Sequence, residues 1–309
     1  MPFMRSLFLI LLSLLLCSSV FSQQIALYSM YFDNNFIINP AVAGTVKEHM
    51  PLRLSVHKQW IGINESPSTQ VLSIHRLLPN KVMGIGGMFF HDSFGPIRQV
   101  GMQVSYAYHL QATKDIKVSM GVNAHLMQYI LKLDQEDFNS YEPILLRNRT
   151  SVIVPDANFG VLAYSKDWWA GISVFHLLQS ALKITSTWTD GRDNQMVRHY
   201  FMNGGYRFSF ASTYNLQMEP STMIKFTERT PLQVDINLRM IWNKDFWIGT
   251  SVRPGDSFVV MMGIKYKDYY FAISHDFTFS DLATHTIGSE ELIFGWNIGE
   301  KNSHSTKFY

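Results

Sequence analysis

The tripeptide Ser274-His275-Asp276 contains the three residue types of a serine-hydrolase triad. It lies in a segment that we predict to be a β-strand, where adjacent side chains point to opposite faces. His275 would therefore face away from both Ser274 and Asp276, although a triad needs the histidine between the other two groups. A hydrolase would need a histidine from elsewhere in the chain, and no motif supports one. We interpret the tripeptide as part of a strand.

Other residues that could bind a metal ion or a phosphate group also lack a supporting motif. The 11 histidines stand singly, and no pair has the helical spacing of a metal site, although partners across strands depend on a register that the sequence does not give. The "GIGG" run at 84–87 is not followed by the helix and Lys-Ser/Thr pair of a phosphate-binding loop. Glycine in a strand instead indicates a bend or close packing. We therefore predict no catalytic residue, no cofactor site and no metal site.

The N-terminus has the features of a secretory signal peptide. Arg5 precedes an apolar run at 7–16, which is too short to span a bilayer. We expect residues 1–22 to be removed, and with them Cys17, the only cysteine. A lipoprotein signal using Cys17 is the alternative, but Leu16 stands where such signals have a small residue. The mature chain would have neither disulfides nor thiolate metal sites.

The charge balance argues against nucleic acid as a partner. The chain has 26 Lys+Arg and 24 Asp+Glu, so it lacks the basic field that nucleic acid requires. Aromatic residues are frequent at 14%, and no second apolar run approaches the roughly 18 residues of a membrane helix. If the chain enters a membrane, it does so as strands.

Alternation of apolar and polar residues is the dominant pattern. In 232–240, apolar residues alternate with Gln, Asp, Asn and Arg, and the segments 100–110 and 116–126 behave in the same way. Reading on gives fourteen segments of roughly ten residues, the length of a tilted membrane strand. The predicted strands are 51–60, 68–78, 82–91, 98–110, 115–127, 157–165, 168–177, 198–210, 215–227, 231–242, 246–253, 257–266, 269–279 and 289–298.

The connections favour a membrane barrel. Those after the even-numbered strands are short and polar, whereas two others, 132–156 and 178–197, are long. This asymmetry is typical of outer-membrane barrels, with the short turns and both termini in the periplasm. Aromatic residues near predicted strand ends suit a headgroup girdle. They are Trp168, Trp169, Trp242, Trp247, Tyr269, Tyr270 and Trp296.

We therefore predict an all-β fold, a transmembrane antiparallel β-barrel of about 14 strands with an N-terminal strap or plug. A soluble sandwich or propeller is the alternative, but blade repeats are missing. Residues 23–50 lack alternation and contain an Asn-Pro bend, so they would fill the lumen or pack on the periplasmic rim. The predicted divisions are a signal peptide at 1–22, a strap at 23–50, a barrel at 51–298 and a polar tail at 299–309.

Several short motifs resemble one family. They are "INPAVAG", with Asn39, Pro40, Ala41 and Gly44; "HKQWIGI", with Gln59 and Trp60; and "PDANFG", with Pro155, Asp156, Phe159 and Gly160. With them the mature chain resembles the PorP/SprF family of Bacteroidota, outer-membrane proteins of the type IX secretion system. These ten residues are our candidates for structural or interaction roles.

The resemblance implies an accessory function without catalysis. Members are expected to lie in outer-membrane lipid and to join secretion or gliding machinery to periplasmic components, and some are paired with one large secreted adhesin. The strap would either plug the barrel or dock a periplasmic partner. The alternative function is a diffusion channel for small solutes, because a barrel of this strand number has space inside.

Overall fold

The computed structural model describes residues 28–132, 149–182, 195–210, 215–228 and 230–299. These contain fifteen strands and four short 3-10 turns, at Tyr31–Asp33, Asn35–Ile37, Pro40–Val42 and Asp281–Thr284. The strands are β1 (Met50–Lys58), β2 (Ser68–Leu77), β3 (Met83–Phe94), β4 (Ile97–Gln111), β5 (Lys117–Lys132), β6 (Arg149–Tyr164), β7 (Trp168–Phe175), β8 (His199–Tyr206), β9 (Phe208–Ser209), β10 (Gln217–Thr227), β11 (Gln233–Trp242), β12 (Phe246–Arg253), β13 (Ser257–Tyr266), β14 (Tyr269–Thr278) and β15 (Ser289–Ile298).

The strands form one closed antiparallel barrel. Consecutive strands pair with each other, and β1 pairs with β15, with Leu54 opposite Phe294. Both β8 and β9 pair with β10, and only Arg207 separates them, so they count as one interrupted strand. The barrel therefore has fourteen strands, as the sequence predicts. In the described part of the chain, no helix is both long and apolar enough to cross a membrane.

The alternation separates a lipid-facing surface from a lumen. On β11, Ile236 is 56% exposed while Arg239 is 2% exposed. The same inward and outward pattern runs along β4 and β5, as predicted. It also separates His275, which is partly exposed, from Ser274 and Asp276, which are buried in the lumen. The predicted obstacle to a triad within this tripeptide is confirmed.

Three aromatic residues of the predicted girdle point inward. Trp169, Trp247 and Tyr270 are each at most 3% exposed, whereas Tyr269 and Trp296 face outward. The reason is the pleat of the strand, because neighbours such as Tyr269 and Tyr270 must lie on opposite faces. For these three residues the girdle prediction is wrong.

The long connection predicted at 132–156 is shorter in the structure. β5 continues to Lys132, and β6 begins at Arg149, with Leu126 opposite Pro155. Proline and aspartate are rare inside strands, which explains why the sequence pattern suggested a loop at Pro155-Asp156. Part of that predicted loop is therefore strand. The remaining connection, 133–148, lies outside the described residues.

The two barrel ends differ, as predicted. At the end that we call the short-turn end, β2–β3, β4–β5, β6–β7, β11–β12 and β13–β14 are joined by 78–82, 112–116, 165–167, 243–245 and 267–268. The opposite end, called the long-loop end, carries the connections 133–148 and 176–198. Much of the apolar core lies between these ends, inside the barrel and around the N-terminal segment.

Candidate functional site

Residues 28–45 lie inside the barrel and are called the plug. Every one of them is buried except Asp33, which is partly exposed as a whole residue although its side chain is buried. Ser29 bonds to Asp276 near the long-loop end, and Gly44 lies against Gly84 near the short-turn end. The plug therefore runs along much of the lumen. Of the predicted strap, 23–50, residues 28–45 thus occupy the lumen, whereas Lys47 and Glu48 are exposed.

The plug bends at Asn39, whose side chain caps the turn that follows. Asn39 is extended, and its Oδ1 accepts a hydrogen bond from the Ala41 amide at 2.9 Å. Its Nδ2 donates to two carbonyl oxygens of the wall, of Val161 at 3.1 Å and of Ile172 at 3.4 Å. Pro40 occupies the first position of the turn, where a missing amide hydrogen costs nothing. One side chain thus both shapes the bend and attaches it to β6 and β7.

The wall beneath this bend is made of glycines. A Cβ at Gly84 would lie 1.9 Å from the Ala43 carbonyl oxygen, and one at Gly121 would lie 2.4 Å from the Ala41 amide nitrogen. A Cβ at Gly160 would lie 2.0 Å from Asn39 Oδ1. A real Cβ never comes so close to another atom, so these contacts with the plug need glycine on β3, β5 and β6. The "GIGG" run and the "PDANFG" motif each supply one of these positions.

Lumen side chains satisfy the carbonyl groups of the plug. Ser119 Oγ donates to the Ala41 carbonyl at 2.8 Å, and Ser173 Oγ donates to the Ile38 carbonyl at 2.5 Å. His109 Nε2 donates to the Ala43 carbonyl at 2.8 Å, and its Nδ1 contacts the Tyr164 hydroxyl at 3.0 Å. A buried carbonyl left without a donor would be costly. The polar lumen therefore fits the irregular backbone of the plug.

An ion cluster fixes the middle of the plug to the opposite wall. Arg239 on β11 donates to Asp33 Oδ1 at 2.6 Å and also to Glu219, its cross-strand neighbour on β10. Arg207 completes the cluster through Glu219 Oε2 at 2.5 Å. The Arg239 guanidinium also lies 4.4 Å from the centre of the Phe32 ring. Because all these side chains are buried, the charges are balanced inside the lumen and not by solvent.

The start of the described plug is held by carboxylates of the last two strands. Glu291 Oε2 accepts hydrogen bonds from the backbone amides of Ser29, at 2.7 Å, and Met30, at 3.0 Å. Ser29 Oγ donates to Asp276 Oδ2 at 2.6 Å. Nearby, the Tyr31 hydroxyl accepts from Asn237 Nδ2 at 2.7 Å, and burial raises the pKa of Tyr31. These contacts attach the start of the described plug to β11, β14 and β15.

The structure brings together only some of the candidate residues. Asn39 and Pro40 meet Gly160, and Ala41 meets Gly121, the residue opposite Gly160 on β5. Gly44 instead meets Gly84 on β3, and Pro155 and Phe159 lie on outward positions of β6. Asp156 points into the lumen and contacts His176.

Gln59 and Trp60 lie at the long-loop end, away from the bend. They follow β1, which ends two residues earlier than predicted, and the Trp60 amide donates to Ser289 Oγ at 3.1 Å. They border a cavity of about 540 Å³. A second cavity, of about 270 Å³, lies beside the plug and is lined mainly by apolar side chains.

Sequence reasoning missed several residues of this site. The ion cluster of Asp33, Arg207, Glu219 and Arg239 was not singled out, and neither were Gly84 and Gly121. The available signal was charge on the lumen-facing positions of the alternation. Such charges need partners when they are buried, so these positions were candidates for ion pairs inside the lumen.

Comparisons with known proteins agree with the fold. The sequence model of a family described as "Type IX secretion system membrane protein PorP/SprF" matches residues 20–296. A search of curated protein sequences found no match.

Among solved structures, the barrel is similar to the toluene transporter TbuX of Ralstonia pickettii, with a TM-score of 0.52 and 10% identity over 85% of this chain and 93% of that one. It is also similar to the CymD monoaromatic hydrocarbon channel, with a TM-score of 0.50 and 9% identity over 92% of this chain and 96% of that one. At these identities, the likeness concerns the fold alone.

Proposed function

Because the chain belongs to the PorP/SprF family of type IX secretion system membrane proteins, we propose that it is a non-catalytic component of that machinery. In this role it links outer-membrane secretion or surface display of a partner protein to periplasmic components. The chain is an outer-membrane β-barrel, as its closed strand ring and its family indicate. The proposed partners are periplasmic secretion or gliding proteins and one large secreted adhesin.

The observation that carries this proposal is the occupied lumen. The plug bonds to β2, β7, β11 and β15 through buried groups, among others in the described part of the barrel. A barrel filled in this way is suited to act as a rigid membrane platform. Its outer rims, and not its interior, are then the surfaces for other proteins.

The alternative, a diffusion channel for small solutes, is favoured by two cavities, one beside the plug and one at the long-loop end. Planar-bilayer recording of the purified protein separates the two functions. We expect the intact protein to show no large, steady conductance, and deletion of 24–36 to open the lumen and produce one. Large steady conductance in the intact protein would instead support the channel.

The buried plug also restricts where a periplasmic partner can bind. Side chains of residues 28–45 face the barrel, whereas Lys47 and Glu48, just beyond the plug at the start of β1, are exposed. We place the proposed contact at this short-turn rim. Lys47 and Glu48 belong to the last part of the predicted strap, 23–50, so the proposed docking involves this exposed end of the strap and not the buried plug.

A cross-linking experiment tests this assignment. A photo-reactive amino acid at Lys47 should capture a periplasmic secretion component in cells, whereas the same group at Asn64, exposed at the long-loop end, should not. Mass spectrometry would identify the captured protein. Capture of that component from Asn64 alone would contradict the assignment.

A further inference from the structure

Three buried side chains from neighbouring strands converge on the lumen wall. His125 on β5 lies directly opposite Asp156 on β6, and His176 follows the end of β7. One nitrogen or oxygen of each lies within 4.8 Å of the others. The sequence places these residues far apart, and only the strand register brings them together.

The acidic member of this cluster is fixed in position. Asp156 Oδ1 accepts hydrogen bonds from the backbone amides of Ala157, at 2.7 Å, and Leu178, at 2.9 Å. Its other oxygen, Oδ2, lies 3.2 Å from His176 Nδ1. The carboxylate therefore presents one oxygen to the histidines and is held there by the main chain.

His176 is also held in an unusual position. Its φ is +60°, in the left-handed region that costs energy for a residue with a side chain. Its amide donates to Asn158 Oδ1 at 2.9 Å, which helps to maintain that conformation. Its ring stands edge-on to the His125 ring, with the two ring centres 5.7 Å apart.

His125 supplies an independent sign that a ligand is expected. The residue is only 6% exposed, and its buried Nδ1 has no hydrogen-bond partner among the described residues. A buried imidazole nitrogen without a partner is costly. The Asp156–His176 contact gives those two residues a hydrogen-bond partner but leaves His125 Nδ1 without one.

We propose that His125, Asp156 and His176 bind a divalent first-row transition-metal ion of the Zn²⁺ class. Two imidazoles and one carboxylate are a common ligand set for such ions, whereas Ca²⁺ and Mg²⁺ prefer oxygen ligands alone. Bond lengths of about 2.0–2.1 Å around a tetrahedral Zn²⁺ separate ligand atoms by about 3.3 Å. The Asp156–His176 distance of 3.2 Å already matches this spacing, and a small rotation of His125 would complete it.

The site opens toward a cavity. His125 and His176 line the cavity of about 270 Å³ beside the plug, together with His199 and Tyr28. Three protein ligands leave a coordination position for water or a small ligand on that side. The ion would join β5, β6 and the segment after β7, and so brace the wall beside the plug.

The test is Zn²⁺ binding to the full-length protein in detergent after chelator treatment. Isothermal titration calorimetry should give one Zn²⁺ per chain, and Zn²⁺ should raise the melting temperature. Loss of a residue that only supports a ligand typically weakens metal binding by about 10–100-fold. His125→Ala deletes a ligand itself, so it should weaken Zn²⁺ binding by at least about tenfold and remove the thermal shift. His125→Ala is the preferred variant because no hydrogen bond at Nδ1 is lost with it.

His275→Ala is the matched control. It removes a histidine that also lies near an acid, Glu290 at 3.7 Å, but on the outer face of the barrel. This variant should bind Zn²⁺ like the wild type. Heat-modifiable gel mobility confirms that each variant is folded.

Three results would overturn the proposal. The first is no Zn²⁺ binding by the folded wild type, and the second is His275→Ala weakening it as much as His125→Ala. The third is Mg²⁺ giving the same stabilisation as Zn²⁺, which would indicate general charge binding. None of these results bears on the proposed secretion role, which cross-linking and bilayer recording test separately.

Discussion

Asn39 in the plug and Gly160 on β6 are in such close contact that a Cβ at Gly160 would lie 2.0 Å from Asn39 Oδ1. Both residues belong to motifs by which the sequence resembles its family. Their contact explains both motifs, because the capped bend at Asn39 can lie against β6 only if residue 160 has no side chain. The roles of the two motifs can therefore be tested together.

Gly160→Ala should displace the bend and destabilise the folded protein. Forcing a methyl group into a filled space costs about 1–3 kcal/mol. The matched control is Gly87→Ala on β3, where the nearest atom to an added Cβ is 3.8 Å away. Urea unfolding in detergent, followed by tryptophan fluorescence, measures both. Equal stability of the two variants would contradict the close contact.

Arg239→Met should be strongly destabilising. It leaves Asp33 and part of Glu219 as buried carboxylates without their main cation, and breaking a buried pair in this way costs about 3–5 kcal/mol. Arg198→Met is the control, because its pair with Glu228 at 3.6 Å has side chains that are 37% and 46% exposed. Exposed pairs contribute about 0–1 kcal/mol. The same unfolding experiment should show a large loss for the first variant and little for the second.

An arginine on the lipid-facing surface should destabilise the barrel more when it lies deeper in the bilayer. Ile236 is 56% exposed in the middle part of the sheet face, and Ile236→Arg should cost about 2–4 kcal/mol near the bilayer midplane. Leu232, at 61% exposed, precedes β11 at its long-loop end, where arginine should cost about 0–1 kcal/mol. Unfolding in lipid vesicles compares the two. A harmless Ile236→Arg would show that this face does not contact hydrocarbon.

Cysteine labelling tests which barrel end faces outward. Asn64→Cys, in the β1–β2 connection, should react with an impermeant maleimide on intact cells, while Asp245→Cys in the β11–β12 turn should react only after lysis. Both residues are exposed, so access depends on the side of the membrane and not on burial. The predicted removal of Cys17 leaves no background thiol. The opposite labelling pattern would show that the barrel has the reverse orientation in the membrane.

The strands were predictable because each carries its own alternation, which needs no knowledge of the partner strand. Alternation also predicts that Asp235 faces the lumen, and the strand pattern alone gives no reason to expect harm from Asp235→Arg. In the structure, Asp235 is 2% exposed, and its Oδ1 accepts from Arg253 Nε at 2.8 Å. An arginine at position 235 would therefore repel Arg253 electrostatically. The face was predictable, but the partner was not.

The candidate site was predictable only in part, for a similar reason. The bend at Asn39-Pro40 could be inferred from local residue preferences. The glycines that receive it, the carboxylates that hold Ser29 and the histidines that meet across β5 to β7 depend on contacts between distant parts of the chain. Such contacts follow from strand register, which one sequence does not provide.

The plug sets an order for assembly of the barrel. It precedes β1 directly, its residues bond to strands around the ring, and β15 must pair with β1 to close that ring. A finished ring would have to admit a bulky, irregular segment through its own mouth. The plug should therefore be enclosed before the β1–β15 seam forms. The hydrogen bonds from the Ser29 and Met30 amides to Glu291 on β15 would then form last, as that strand closes the ring.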